Sequence, residues 1–226
     1  MSHLINIFLE PGKVFAELKE KPTFVLPALL SIVAAAASIF VYFMFVDPEW
    51  FASHQLQALG SEMSKAELEQ VSKMMPGART SGYIGAVSVA IVTPIIYCIF
   101  SLYYLLAGKI TGNVISFKQG LSLTAWASLP MILASVLLVV GVFTSSAQTS
   151  LESLQLLNID PLLVQLPMDH DWSRLAKSFS LLNFWVWFLS ALGWKTWFRT
   201  GWGQALGVVM LPSLLIYGVM ALMALI

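Results

Sequence analysis

The chain predicts an all-α polytopic membrane protein, with five transmembrane helices plus short amphipathic interfacial helices. Three observations carry that expectation. Hydrophobic residues fill 58% of the 226 positions and charged residues only 11%, where ordinary soluble domains carry about a quarter. Five runs contain no Asp, Glu, Lys, Arg or His: Phe24–Val46, Ser81–Ala107, Gln119–Phe143, Phe179–Trp194 and Gly203–Ile226. Tryptophans gather beside these runs at Trp50, Trp172, Trp194, Trp197 and Trp202, where an indole meets the headgroup level of a bilayer.

The elements follow in chain order. The opening EPGKVFAELKE puts Val14, Phe15 and Leu18 on one face after Pro11 and predicts a short interfacial helix. A bilayer-spanning helix needs about 20 apolar residues, which places spans at about 24–46, 81–107, 119–143 and 203–226. The run from Phe179 is shorter. It reaches spanning length by borrowing from the preceding WSRLAKS, as 175–194. The AAAAS in the first run resembles a signal-peptidase site, yet the apolar stretch continues through FVYFMFV, so a retained span is expected. Between spans, SKAE at 64–67 has the capping-box pattern of a helix running to about Met75. TSLE at 149–152 predicts another before Asp160-Pro161. No separate soluble domain is expected, so 1–226 reads as one membrane domain.

Orientation follows from the basic residues. The amino-terminal side carries Lys13, Lys19, Lys21, Lys109, Lys118, Lys195 and Arg199, seven in all. The other side carries five: Lys65, Lys73, Arg79, Arg174 and Lys177. The excess predicts a cytosolic amino terminus and an outer carboxyl terminus. Nine of the twelve acids lie on the outer side, in agreement.

The composition also excludes classes. A formal net charge of zero without a basic tract removes the footprint of nucleic-acid binding. The absence of ionisable groups inside the runs argues against a proton-coupled pump. His3, His54 and His170 are far apart, and MDHDW reads as a capped, solvated turn rather than a metal site. GKIT at 108–111 lacks the upstream glycine of a phosphate loop. Cys98 reads as a small packed hydrophobe. No nucleophile, base and orienting group assemble, so no enzyme, cofactor or metal is expected.

Two candidate features remain. Trp194, Trp197 and Trp202 interleave with Lys195 and Arg199, which would suit anionic lipid headgroups or plain interfacial anchoring. Pro27, Pro94, Pro130 and Pro212 fall within four of the runs as candidate kinks. Thr124 and Ser128 stand ready to satisfy the backbone near Pro130. Gly203 and Gly207 form a GxxxG, and Gly85, Ala86 and Ala90 give the second span a small-residue face.

The ordered set Pro11, Phe15, Pro22, Phe117, Pro130, Asn183, Trp187, Gly193, Ala205 and Pro212 resembles bacterial members of the Yip (Ypt/Rab-interacting) family over nearly the whole chain. The motifs that carry it are EPGKVFAELKEKPTFVLP, ISFKQGLSLTAWASLP, NFWVWFLSALGW and TGWGQALGVVMLP. The resemblance implies five spans, a cytosolic amino terminus and residence in a bacterial inner membrane. Eukaryotic relatives are implicated in membrane traffic with small GTPases and in organelle shape. Their longer cytosolic region with a DLYGP-like element is missing here, which speaks against GTPase recruitment. The expected function is a non-enzymatic membrane adaptor or scaffold for lipids, other membrane proteins or itself. The alternative is a conduit or binder for a lipid or small neutral solute.

Overall fold

The structure, a computed structural model, describes residues 2–59, 65–167 and 170–225. It is all-α. Among the described residues the only strand-like pairing is an isolated bridge between Asn158 and Ser180, and four helices are long and apolar enough to cross a membrane.

Two short helices open the chain, α1 (Ser2–Leu9) and α2 (Pro11–Glu20). Pro11 takes the first turn of α2, where its missing N–H costs nothing. The apolar face expected to lie on lipid is instead docked on protein, with Val14, Phe15 and Leu18 buried. The first span is α3 (Val25–Phe45). Beyond it come α4 (Pro48–Leu59) and α5 (Lys65–Met74). Asp47 Oδ1 caps α4 by accepting the N–H groups of Glu49 and Trp50 at 3.0 and 2.8 Å. Ser64, the expected cap of α5, lies outside the described residues.

The second span, α6 (Ala78–Thr111), has 34 residues. At 1.5 Å per residue it is about 51 Å long, so its ends project beyond a hydrocarbon core of about 30 Å. Gly112, with φ +73°, ends it in the left-handed conformation that glycine adopts without strain.

The third span is interrupted at Pro130. Helix α7 (Phe117–Ala127) gives way to a 3-10 turn at Leu129–Met131 and then to α8 (Ile132–Thr144). Next come α9 (Leu151–Leu154), a π-helical turn at Asp160–Val164 and α10 (Ser173–Ser178). The cap of α9 is Ser150, not Thr149, and Asp160-Pro161 opens the π turn where a stop was expected.

The fourth run departs most from expectation. No helix covers 175–194. The chain leaves α10 at Phe179, bridges Asn158 through Ser180, and restarts as α11 (Leu182–Phe198). The break is held by backbone partners: Ile159 donates to the Phe179 carbonyl at 2.9 Å and Leu181 to the Leu157 carbonyl at 2.8 Å. Lost length at the start is recovered at the end, because α11 continues past Trp194 to Phe198. Helix α12 (Trp202–Met223) completes the bundle.

Apolar burial gains little inside lipid, since the tails are as apolar as Leu, so close approach and polar contacts must hold the helices. Glycines permit the approach. A Cβ at Gly82 or Gly85 of α6 would strike Phe43 or Ile39 of α3, one at Gly120 would strike Ser101, and one at Gly193 would strike Leu123 and Phe15. The GxxxG pair is not used in this way: nothing lies within 4 Å of a Cβ built at Gly203 or Gly207. One core joins Phe15 and Leu18 to Leu123, Trp126, Trp194 and Trp197. A second, at the other end, gathers Tyr42, Phe51, Leu138 and Leu154.

Candidate functional site

Polar side chains inside the runs converge on a cavity of about 440 Å³ between α6, the Pro130 break, α11 and α12. Helix α6 contributes Tyr97 and Tyr104, two turns apart, and the other elements contribute theirs one turn apart. Helix α7 supplies Thr124 and its flank Ser128, α11 supplies Asn183, Trp187 and Ser190, and α12 supplies Ser213 and Tyr217. Residues four apart share a helix face, so each set points the same way. None is charged.

The hydrogen bonds fix much of this wall. Asn183 Nδ2 donates to Tyr217 Oη at 2.8 Å and Trp187 Nε1 to Ser213 Oγ at 2.9 Å, both tying α11 to α12. Thr124 Oγ1 and Ser128 Oγ donate back to the carbonyls of Gly120 and Thr124 at 3.0 and 2.8 Å. The rest of the wall is apolar, including Phe100, Val209 and Ile216, and Ile96 and Ile216 are also exposed on the bundle's lipid-facing side. The cavity therefore opens sideways. Its size lies within the range of about 300–1,000 Å³ usual for small-molecule sites.

A second cavity, of about 410 Å³, lies under the connection 155–158 and residues 177–180. Met131 and Asn183 line both cavities. The 3-10 turn at Pro130 thus sets Met131 on the boundary between them.

The prolines are accommodated in three ways. Pro27 sits in the first turn of α3, so it needs no kink. Just before the helix, the Thr23 carbonyl accepts Ser122 Oγ at 2.9 Å and Trp126 Nε1 at 2.8 Å. Pro94 and Pro212 lie inside uninterrupted helices. Pro212 frees the Val208 carbonyl, which accepts the Tyr103 hydroxyl at 2.5 Å. At Pro130 the α-helix itself ends and restarts.

The aromatic and basic cluster divides. Trp194 and Trp197 are 0% and 1% exposed, so they face the core and not headgroups. Trp197 Nε1 donates to the Phe15 carbonyl of α2 at 2.6 Å, and Lys19 Nζ reaches the Trp197 carbonyl. Trp202 remains 41% exposed, with Lys195 Nζ 5.3 Å from its ring centroid and Phe188 stacked on it. Arg199 is exposed in the left-handed conformation, φ 54°. The amphipathic face of α2 covers Trp197, and Trp194 packs against Tyr104 of α6 and against Phe198.

The three histidines stay apart. His3 meets Glu17 at 2.7 Å, His54 stacks on Trp50, and His170 Nδ1 accepts the Trp172 N–H at 3.2 Å. Asp169 lies outside the described residues. Cys98 is exposed on α6.

Fold and cavity together define an all-α polytopic integral membrane protein with an uncharged polar pocket inside its bundle. Residues 5–223 match the family model of the Yip1 domain, and the chain belongs to that family. Comparisons with curated proteins and with solved structures give no match.

Proposed function

We propose that this protein is a non-catalytic membrane component that holds a lipid, or a small uncharged molecule, in the cavity between α6, α7, α11 and α12. One observation carries the reading: hydroxyls, an amide and an indole converge on one uncharged, laterally open cavity within the apolar bundle. Buried polar groups in lipid are costly unless they find partners. Here Asn183 and Trp187 donate to Tyr217 and Ser213, whose hydroxyls keep a hydrogen of their own to give, so the lining suits an occupant with a few hydrogen-bond acceptors and an apolar body. The test is native mass spectrometry of protein extracted in mild detergent, comparing wild type with Ser190→Phe, which fills the cavity. A co-purifying molecule lost in a variant that keeps its helical melt supports the reading; equal retention in both contradicts it.

A second reading, an adaptor for other membrane proteins or for itself, draws on Gly203 and Gly207. Their Cβ positions face open space on α12, which leaves a small-residue surface for another helix. In both readings the chain is one membrane domain, in a bacterial inner membrane, with a cytosolic amino terminus and an outer carboxyl terminus. Lys195, Arg199 and Trp202 then face cytosolic headgroups, and small-GTPase binding is not part of either role.

A further inference from the structure

We infer that the occupant is an anionic amphiphile, with its charged head beside Lys177 and its chain running past Met131 and Asn183 into the central cavity. This rests on the reading of that cavity as a ligand site. The argument begins with the division of polarity along the two cavities. The cavity under residues 155–158 has apolar walls of Ile39, Val89 and Leu138 where it meets the bundle, and Gln155, Asn158, Lys177, Ser178 and Ser180 at its mouth.

Most of the mouth's donors are already used. Asn158 Nδ2 donates to Gln155 Oε1 at 2.7 Å and to the Lys177 carbonyl at 2.6 Å. Ser178 and Ser180 donate to the carbonyls of Leu175 and Leu157 at 2.9 and 3.2 Å. The Lys177 ammonium and the Gln155 amide N–H groups have no hydrogen-bond or ion-pair partner among the described residues. Glu152 lines the neighbouring cavity with Lys177 but forms no ion pair with it. The mouth therefore offers one cation and one amide, and a carboxylate or phosphate is the group that satisfies both.

Further in, the charge disappears. Met131 and Asn183 are shared by both cavities, and beyond them the walls carry only uncharged groups. A molecule charged at both ends would bury an unpaired ion there, which is unfavourable. A molecule without charge would gain nothing from the half-buried Lys177 at the mouth. One anionic head and one apolar chain meet both conditions, and the lateral opening lets the chain enter from lipid.

The test uses two photoreactive probes of equal chain length, hexadecyl phosphate and hexadecanol, each with a diazirine at the chain end. They are applied to purified protein in phosphatidylcholine nanodiscs, and the labelled residues are read by mass spectrometry. The expected result is labelling near Val209 and Ile216 by the phosphate at about tenfold lower concentration than by the alcohol, the size of one charge-assisted hydrogen bond. Lys177→Gln should abolish that preference without changing the alcohol, and Lys177→Arg should retain it. Equal labelling by both probes, in wild type and Lys177→Gln alike, overturns the anionic assignment while leaving the ligand cavity standing. No labelling of the cavity by either probe overturns both.

Discussion

The Tyr103 hydroxyl of α6 donates at 2.5 Å to the Val208 carbonyl of α12, four residues before Pro212. That carbonyl would accept the N–H of residue 212 in a regular helix, and proline has none. The neighbouring helix supplies the missing donor, so the proline becomes a point of attachment between spans. Tyr103→Phe should cost about 1 kcal/mol, in line with interhelical polar contacts and an unsatisfied carbonyl. In a Pro212→Ala background the helix can donate its own N–H, and Tyr103→Phe should then cost close to nothing. A double-mutant cycle from denaturant titrations in detergent reads the coupling; strictly additive effects would show that the two residues act independently.

The Thr23 carbonyl, at the entry to α3, has two donors rather than one, Ser122 Oγ and Trp126 Nε1. Ser122→Ala alone should therefore shift stability only slightly, by about 0.5 kcal/mol. Trp126→Phe should cost several times more, because it also vacates the core shared with Phe15 and Leu123. With both changed, the loss should exceed the sum of the two. Melting curves of the three variants settle this, and simple additivity would mean that one donor does nothing.

Glycines sort by what a methyl group would meet. Gly193→Ala and Gly120→Ala should each cost about 1–3 kcal/mol by overpacking, since Leu123 with Phe15 and Ser101 occupy those spaces. Gly207→Ala should be neutral or mildly stabilising, as alanine is the better helix former by about 1 kcal/mol. Comparable losses at all three positions would contradict the packing described. Gly207→Leu, read by crosslinking in membranes, additionally reports whether the open face of α12 meets another helix.

Much of the fold was legible in the sequence because membrane spans are written in apolar length. The run 24–46 became α3 with one residue trimmed from each end. The misreadings have local causes. WSRLAKS was joined to the fourth run by hydropathy, but the backbone of 179–181 pairs with 157–159, a long-range contact that no window in the sequence reveals. Trp194 and Trp197 look like interfacial anchors because nothing local says what covers them; only the fold brings Phe15 and Lys19 to Trp197 and Tyr104 to Trp194. The cavity was the larger omission, although its signal was present. Asn183, Trp187 and Ser190 recur at helical spacing, as do Thr124 with Ser128 and Ser213 with Tyr217. Scanning the spans only for ionisable residues passes over polar faces of this kind. The capping box of α7 was equally readable, in Ser116 and Gln119 of ISFKQ. There Gln119 also donates to the Lys19 carbonyl at 2.9 Å and so locks α2 in place.

The proposed arrangement of five spans requires α11 to cross the bilayer. With 17 residues it is about 26 Å long, slightly less than a hydrocarbon core of about 30 Å, and only if it spans do Lys177 and Lys195 lie on opposite sides of the membrane. Paired alkaline-phosphatase and fluorescent-protein fusions after Thr200 and after Ile226 measure this directly. A cytosolic report after Thr200 with an outer report after Ile226 is the predicted result, and a cytosolic report at both positions would contradict it.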